Sequence, residues 1–238
     1  MRKVKFEEGK FYHIYNRGVE KRIIFMNDND KWRFLQALFL FNDENSTLNL
    51  LWQLEREKGK VHFGILKNFL KDKIKEREPL VKILADCLMP NHYHLILEEI
   101  KENGISRFMQ KLGTGYTMYF NKKYNRVGSL FQGPFKAKLV DKELYLRYLL
   151  IYINIINPGE LIKPDLRKEN INNIEEIILF AENYPWSTNR EYLNKRNSII
   201  TEKGIFNDFF PDPGSYLEFA KNVVADKKYA DISYLTFE

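Results

Sequence analysis

Lys10–Asn16 (KFYHIYN) is rich in aromatics and alternates well enough to predict a first strand, closed by a turn at Asn16-Arg17-Gly18. Asp28, Asn29 and Asp30 offer caps for a helix whose apolar positions, Trp32, Phe34, Leu35, Leu38 and Phe41, recur at helical spacing. From about residue 43 to 78 the chain turns charged and helix-prone, which predicts an insertion packed loosely on the rest. Leu80–Leu88 and His92–Glu98 predict two further strands, and the short connection Met89-Pro90-Asn91 makes them antiparallel. Ile105, Phe108, Met109, Leu112, Tyr116, Tyr119 and Phe120 then mark a long amphipathic helix with Lys111, Lys122 and Lys123 on its open face. Gly113 and Gly115 argue against its being unbroken. Phe135–Val140 predicts a fourth strand, with Phe135, Ala137 and Leu139 on one side and Lys136 and Lys138 on the other. Residues 142–156 predict a helix that ends before Pro158-Gly159.

This order, β-α-β-β-α-β and then a helix, predicts an α+β chain of ferredoxin-like plan: one four-stranded antiparallel sheet with helices on one face. After about Lys163 the pattern weakens to short helices at Ile174–Ala181, Phe206–Phe210 and Tyr216–Val224, with a turn at Tyr184–Ser187. The expected division is a domain over 1–165, carrying the insertion at about 43–78, and a mainly helical appendage over 166–238.

Composition narrows the classes. The 18 Phe and 14 Tyr supply ample apolar surface for a core. The single cysteine, Cys87, excludes a disulfide framework and a cysteine-based zinc site, and it predicts a reducing, cytoplasmic setting. We expect it on a central strand, as a small buried apolar residue. No run approaches the roughly 18 apolar residues of a membrane span, so no membrane partner is expected. The first residues lack the apolar core of a secretory leader. The net charge of +6 says little until it is mapped. Residues 101–150 carry ten basic side chains and three acidic ones, an excess of seven, so the rest of the chain is close to neutral. Cations interleaved with Tyr and Phe suit a single-stranded nucleic acid, which offers phosphates and base faces; a solvated surface is the plainer alternative.

Two of the four histidines, His92 and His94, stand two apart on a predicted strand. Period two puts both imidazoles on one face and Tyr93 and Leu95 on the other. Two neutral imidazoles side by side make a ready cation site; a pair of hydrogen-bonded strand histidines is the structural alternative. His13, on the first strand, could contact metal, phosphate or DNA, or be a buried structural histidine. His62, in the charged stretch, reads as a surface residue. Tyr145, Tyr148 and Tyr152 form one helical stripe, a pattern that ordinary packing also produces.

The run Leu88-Met89-Pro90-Asn91-His92-Tyr93-His94-Leu95-Ile96-Leu97 resembles the HUH motif of the one-tyrosine transposases, a group that includes the REP-associated tyrosine transposases. The likeness runs on in order through Tyr12–Gly18 with Phe25, Gly128–Lys136, Tyr152–Pro158, and Tyr184–Thr188 with Tyr192. The resemblance implies a divalent metal, Mg2+ or Mn2+, on His92 and His94. It implies cleavage and rejoining of single-stranded or hairpin DNA through a 5′-phosphotyrosine. The nucleophile is then Tyr152, which opens the Tyr-Ile-x-x-Asn-Pro-like pattern, with Tyr148 next in line. Arg17, Lys122, Lys123, Arg126, Lys136 and Lys138 are candidates to hold phosphates, and Phe131 or Tyr124 to stack a base. The relatives include dimers and monomers, so a homodimer stays open.

One departure bears on the metal. The family's Asn, a proposed third ligand, follows the Tyr by four residues; here position 156 is Ile and Asn157 follows Tyr152 by five. Five residues turn a regular α-helix by about 140° beyond a full turn, which would aim Asn157 away from Tyr152. A one-residue π-bulge would restore the alignment; otherwise Asn154 or water completes the coordination. The departure keeps two other readings open: a domesticated module that holds hairpin DNA or RNA without cutting it, and a metal phosphodiesterase that uses water, with Tyr152 as packing.

Overall fold

The computed structural model describes residues 4–45, 77–164, 166, 173–227 and 230–232. The expected charged insertion therefore lies almost wholly outside the described residues, as does His62. Four strands, β1 (Phe11–Arg17), β2 (Val81–Met89), β3 (His92–Glu99) and β4 (Lys136–Val140), alternate with helices α1 (Asp28–Phe41) and α2 (Gly104–Lys123) in the expected order. They form one sheet in the order β2-β3-β1-β4, with every neighbouring pair antiparallel. Each β-α-β unit leaves a gap that a strand of the other unit fills, which is the ferredoxin-like plan.

The period of two sorts the sheet into two faces. On β3, Tyr93, Leu95 and Leu97 point toward α1 and α2 and are fully buried. Phe34 of α1 packs on Tyr93 with ring centroids 4.9 Å apart and on Tyr116 of α2 at 5.0 Å. The buried Tyr116 hydroxyl donates to the Ile24 carbonyl at 2.6 Å. α1 starts at a capping box: the Asn27 side chain accepts from the Asp30 amide, and the Asp30 carboxylate accepts from the Asn27 amide. α2 is continuous through both glycines. Gly115 is there for proximity, since a Cβ at that position would stand 2.5 Å from the Phe41 ring of α1.

The helix after β4 departs from expectation. α3 (Glu143–Ile151) leads into a π-helical turn, Tyr152–Ile156, and then into a short α-helical turn, Asn157–Gly159. The helix thus runs through Pro158-Gly159. Pro158 lies in the first turn of a new α segment, where a missing N–H costs little. The π turn packs on β2 from the face opposite α1 and α2.

Residues after 173 cover the sheet's outer edge. Helices α4 (Ile174–Asn183) and α5 (Pro213–Ala225) flank the π turn and α3. Between them the chain hydrogen-bonds along β2: the Leu88 amide donates to the Trp186 carbonyl at 2.8 Å and the Thr188 amide to the Asp86 carbonyl at 3.0 Å. The Glu202 amide donates to the Ile83 carbonyl at 2.9 Å. β2 is therefore an outer strand with a closed edge. Cys87, expected on a central strand, sits on this outer one and is fully buried all the same. Among the described residues, no helix is long and apolar enough to cross a membrane.

Candidate active site

His92 and His94 stand on the face of β3 opposite Tyr93 and Leu95. The strand register adds companions on that face: Arg17 opposite His92, Tyr15 and Cys87 opposite His94, and Lys136 and Lys138 one strand further out, opposite Tyr15 and His13. The His92 and His94 rings lie 5.0 Å apart at 89°. His92 Nδ1 is 2.6 Å from the Asn91 side-chain oxygen. An amide oxygen only accepts, so this contact puts the proton on Nδ1 and leaves Nε2 with its lone pair. The turn Pro90-Asn91 supplies that acceptor directly before the strand begins. His94 Nδ1 lies 2.9 Å from His13 Nε2, with the two rings nearly parallel at 15°.

Tyr152 meets this pair. Its ring centroid is 5.8 Å from that of His94, at 88°. Tyr148 turns elsewhere and stacks on Phe219 of α5 at 6.0 Å. The π turn has the geometry that the five-residue spacing requires, because the Asn157 amide donates to the Tyr152 carbonyl. An i→i+5 bond closes the turn with one extra residue, so Asn157 takes the angular place that i+4 holds in an α-helix. Asn157 is fully buried, and its side-chain oxygen and nitrogen have no hydrogen-bond partner among the described residues. Leaving such an amide unpartnered costs about 1–3 kcal/mol.

Asn154 is occupied differently. Its side-chain oxygen accepts from the Thr188 hydroxyl at 2.8 Å, and its amide nitrogen donates to the Tyr216 hydroxyl at 3.3 Å. The Tyr216 hydroxyl donates in turn to the Asn189 side chain at 2.8 Å. Asn154 thus ties the π turn to the residues that close the β2 edge, and the amide left for a cation is that of Asn157. Two imidazole nitrogens and one amide oxygen are a donor set that fits a divalent cation such as Mn2+, with water or a phosphate oxygen completing the shell. Among the described residues, no group of three or more His, Cys, Asp or Glu forms a metal site.

The expected phosphate-binding residues fall into two groups. Arg17, Lys136 and Lys138 stand on the histidine face. Arg17 Nε donates to the Gln132 side chain, and the Gln132 amide donates to the Arg17 carbonyl at 2.9 Å. The Asn16 side chain accepts from the Arg17 amide and donates to the Gly133 carbonyl, so the Asn-Arg-Gly turn and the Phe-Gln-Gly-Pro segment are stitched together. Lys136 and Lys138 are exposed. Lys122, Lys123 and Arg126 lie at the end of α2, in the helix layer. Lys123 is not a loose cation there: its Nζ is 2.6 Å from the buried Asp30 carboxylate. Burial would lower the ammonium's pKa, but the bonds to Asp30 and to the Tyr119 and Tyr124 hydroxyls outweigh it and raise the pKa. Arg126 donates to the Asn121 side chain at 3.1 Å, and Lys122 is exposed.

Sequence reasoning missed a buried acid on the other side of the sheet from the histidines. Asp86 is opposite Leu95, on the helix-facing side of β2. Burial, with the Glu191 carboxylate adding to it and Arg196 opposing, pushes its carboxyl up to about 7. Glu191 pairs with Arg196, which also donates to the Pro185 and Ser187 carbonyls at 2.6 Å each. The His13–His94 contact was also out of reach, because it depends on strand register, which the sequence does not show.

Residues 51–155 match the family described as "Transposase IS200 like". The matched stretch contains β2, β3, α2, β4 and α3, and with them His92, His94 and Tyr152; Asn157 lies two residues beyond it. The match agrees with the resemblance carried by the histidine motif. Among solved structures, the chain is similar to one titled "Structure of the REP associates tyrosine transposase bound to a REP hairpin". The identity is 11%, the TM-score is 0.45, and the alignment covers 85% of this chain and 93% of that one. No curated protein matches.

Proposed function

We propose that this chain, transposase-like by its family match over residues 51–155, cleaves and rejoins single-stranded DNA at a hairpin, with Tyr152 as nucleophile. His92, His94 and Asn157 would hold a divalent cation, Mg2+ or Mn2+. When bound, it would supply charge neutralisation and polarisation of the scissile phosphate. The Tyr152 oxygen attacks phosphorus in line and loses its proton to solvent or a neighbouring base. The bond to the 3′ oxygen breaks, that oxygen takes up a proton, and the 5′ end stays on Tyr152 as a phosphotyrosine. Attack by a 3′-OH on the same phosphorus reverses the step and joins a strand, so no nucleotide cofactor is consumed. Arg17, Lys136 and Lys138 hold the approaching backbone, and Lys122 and Arg126 extend the basic surface. We place the protein in the cytoplasm, which its one free cysteine favours.

The observation that carries this reading is the juxtaposition, within one chain, of Tyr152 and His94, with Asn157 turned to the side of Tyr152 by the π turn. It needs no residue from a second copy. One observation favours the rival, a hairpin-binding module that does not cut: Tyr152 is 1% exposed and His94 0%. A labelled hairpin oligonucleotide with a single-stranded flank, incubated with Mn2+, separates the two. We expect an SDS-stable protein–DNA adduct that disappears in Tyr152→Phe, a fall of at least about 10³-fold. Binding without cleavage would favour the module. Cleavage without an adduct would favour a phosphodiesterase.

A further inference from the structure

His13 has no part in the mechanism so far, yet it makes a close polar contact with His94. Both rings are fully buried, and Nε2 of His13 lies 2.9 Å from Nδ1 of His94. A single N–H···N bond between neutral imidazoles carries one proton, so the pair has two arrangements. If His13 donates from Nε2, the proton of His94 sits on its own Nε2, and that nitrogen cannot bind a cation. If His94 donates from Nδ1, its Nε2 keeps the lone pair. The neighbouring ring shows which arrangement suits the site. His92 gives its Nδ1 proton to Asn91, in the strand turn, and keeps Nε2 for the centre. The two rings stand perpendicular at 5.0 Å, and a shared ion needs an unprotonated nitrogen from each; with Nδ1 of His94 held by His13, that nitrogen is Nε2.

We infer that His13 is a positioning residue, which accepts the Nδ1 proton of His94 and so holds Nε2 of His94 unprotonated for the metal. Its purpose rests on the metal reading above, while its assignment can be tested without metal. The β1–β3 register sets the contact, because His13 is opposite Ile96, two pairs along from Tyr15 and His94 and so on the same face. Asn91 and His13 then perform the same task for two successive ligands, one from a turn and one from the adjoining strand.

The test begins with the metal-free, full-length chain labelled with 15N-histidine and observed by NMR at about pH 8, where an ordinary imidazole is neutral. With only four histidines, each ring can be assigned. The expected result is His94 protonated at Nδ1 and His13 unprotonated at Nε2; a proton on Nε2 of His94 would overturn the inference. Mn2+ titration calorimetry follows on wild type, His13→Leu and His13→Gln, with thermal melts to establish that each is folded. His13→Leu should bind Mn2+ about 10–100-fold more weakly. His13→Gln, whose side-chain oxygen can accept in place of Nε2, should recover most of that loss. Equal affinity in His13→Leu and wild type, or equal loss in both variants, would sink the assignment. If wild type binds no Mn2+ while His94 is protonated at Nδ1, the metal reading fails and the tautomer assignment stands.

Discussion

Tyr93 and His94 are consecutive residues of β3, both inaccessible to solvent, and their surroundings have almost nothing in common. Tyr93 is enclosed by Phe34 and Phe131, and burial drives its phenol well above the ordinary range. His94 is ringed by His13, Tyr15, His92 and Tyr152, each with a nitrogen or oxygen to offer. One face of the sheet spends its burial on apolar area and carries the stability; the other keeps polar atoms dry, as with Asn157, whose side-chain oxygen and nitrogen have no hydrogen-bond partner among the described residues. The lesson is that burial alone does not separate core from site. What separates them is whether the buried neighbours are apolar rings, as around Tyr93, or carry nitrogen and oxygen, as around His94.

This contrast can be broken in four places. The largest effect should come from Leu95, on the helix-facing side. Leu95→Ala should lower the unfolding free energy by about 2–5 kcal/mol in urea titrations. His92→Ala, on the other side and partly exposed, should change it by less than about 1 kcal/mol while abolishing the DNA adduct. Asp86, a buried acid on the apolar face, comes next. Its native pKa of about 7 exceeds the unfolded value of about 3.9, so the native state binds the extra proton. Its contribution is complete below about pH 4 and is lost as pH rises through about 7. Asp86→Asn should remove this dependence. Between pH 4.5 and 8, the variant should gain on wild type by on the order of 3 kcal/mol in urea unfolding.

A smaller effect is expected at Asn157. Asn157→Leu removes an amide with no partner among the described residues, so the metal-free protein should become more stable by about 1 kcal/mol in thermal or urea unfolding. Calorimetry should show weaker Mn2+ binding in the same variant. A loss of stability would mean that the amide is satisfied in the native protein and is no ligand. The smallest contrast is between two lysines. Lys136→Ala should reduce the salt dependence of hairpin affinity by about 0.7–1 in log–log slope. Lys123→Ala should leave that slope unchanged and weaken the seam between α1 and α2, where the buried Asp30 would lose its cationic partner and keep the Tyr119 and Tyr124 hydroxyls.

The strands, their faces and the fold class were legible because alternation with period two is written into single residues, as at Phe135–Val140. Register was not, since nothing local says which residue of β1 faces which residue of β3; the His13–His94 bond therefore had no sequence signal. The partner of Lys123 lies 93 positions away, so a basic side chain that read as free proved to be anchored. The closure of β2 was illegible for another reason. Trp186–Thr188 acts through backbone groups, which any sequence possesses, and so a strand at the margin of the sheet was expected at its centre. The π turn was half visible. The five-residue interval between Tyr152 and Asn157 stated the problem and made a π-bulge one of its solutions; the structure has that π turn.

That turn also bears on how such motifs ought to be searched for. For a phenol and an amide to serve one centre, as proposed for Tyr152 and Asn157, the quantity to hold is the azimuth around the helix axis, and a widened turn lets the residue count drift by one without disturbing it. Patterns written as fixed gaps will discard chains of this kind, whereas patterns written as angles would retain them.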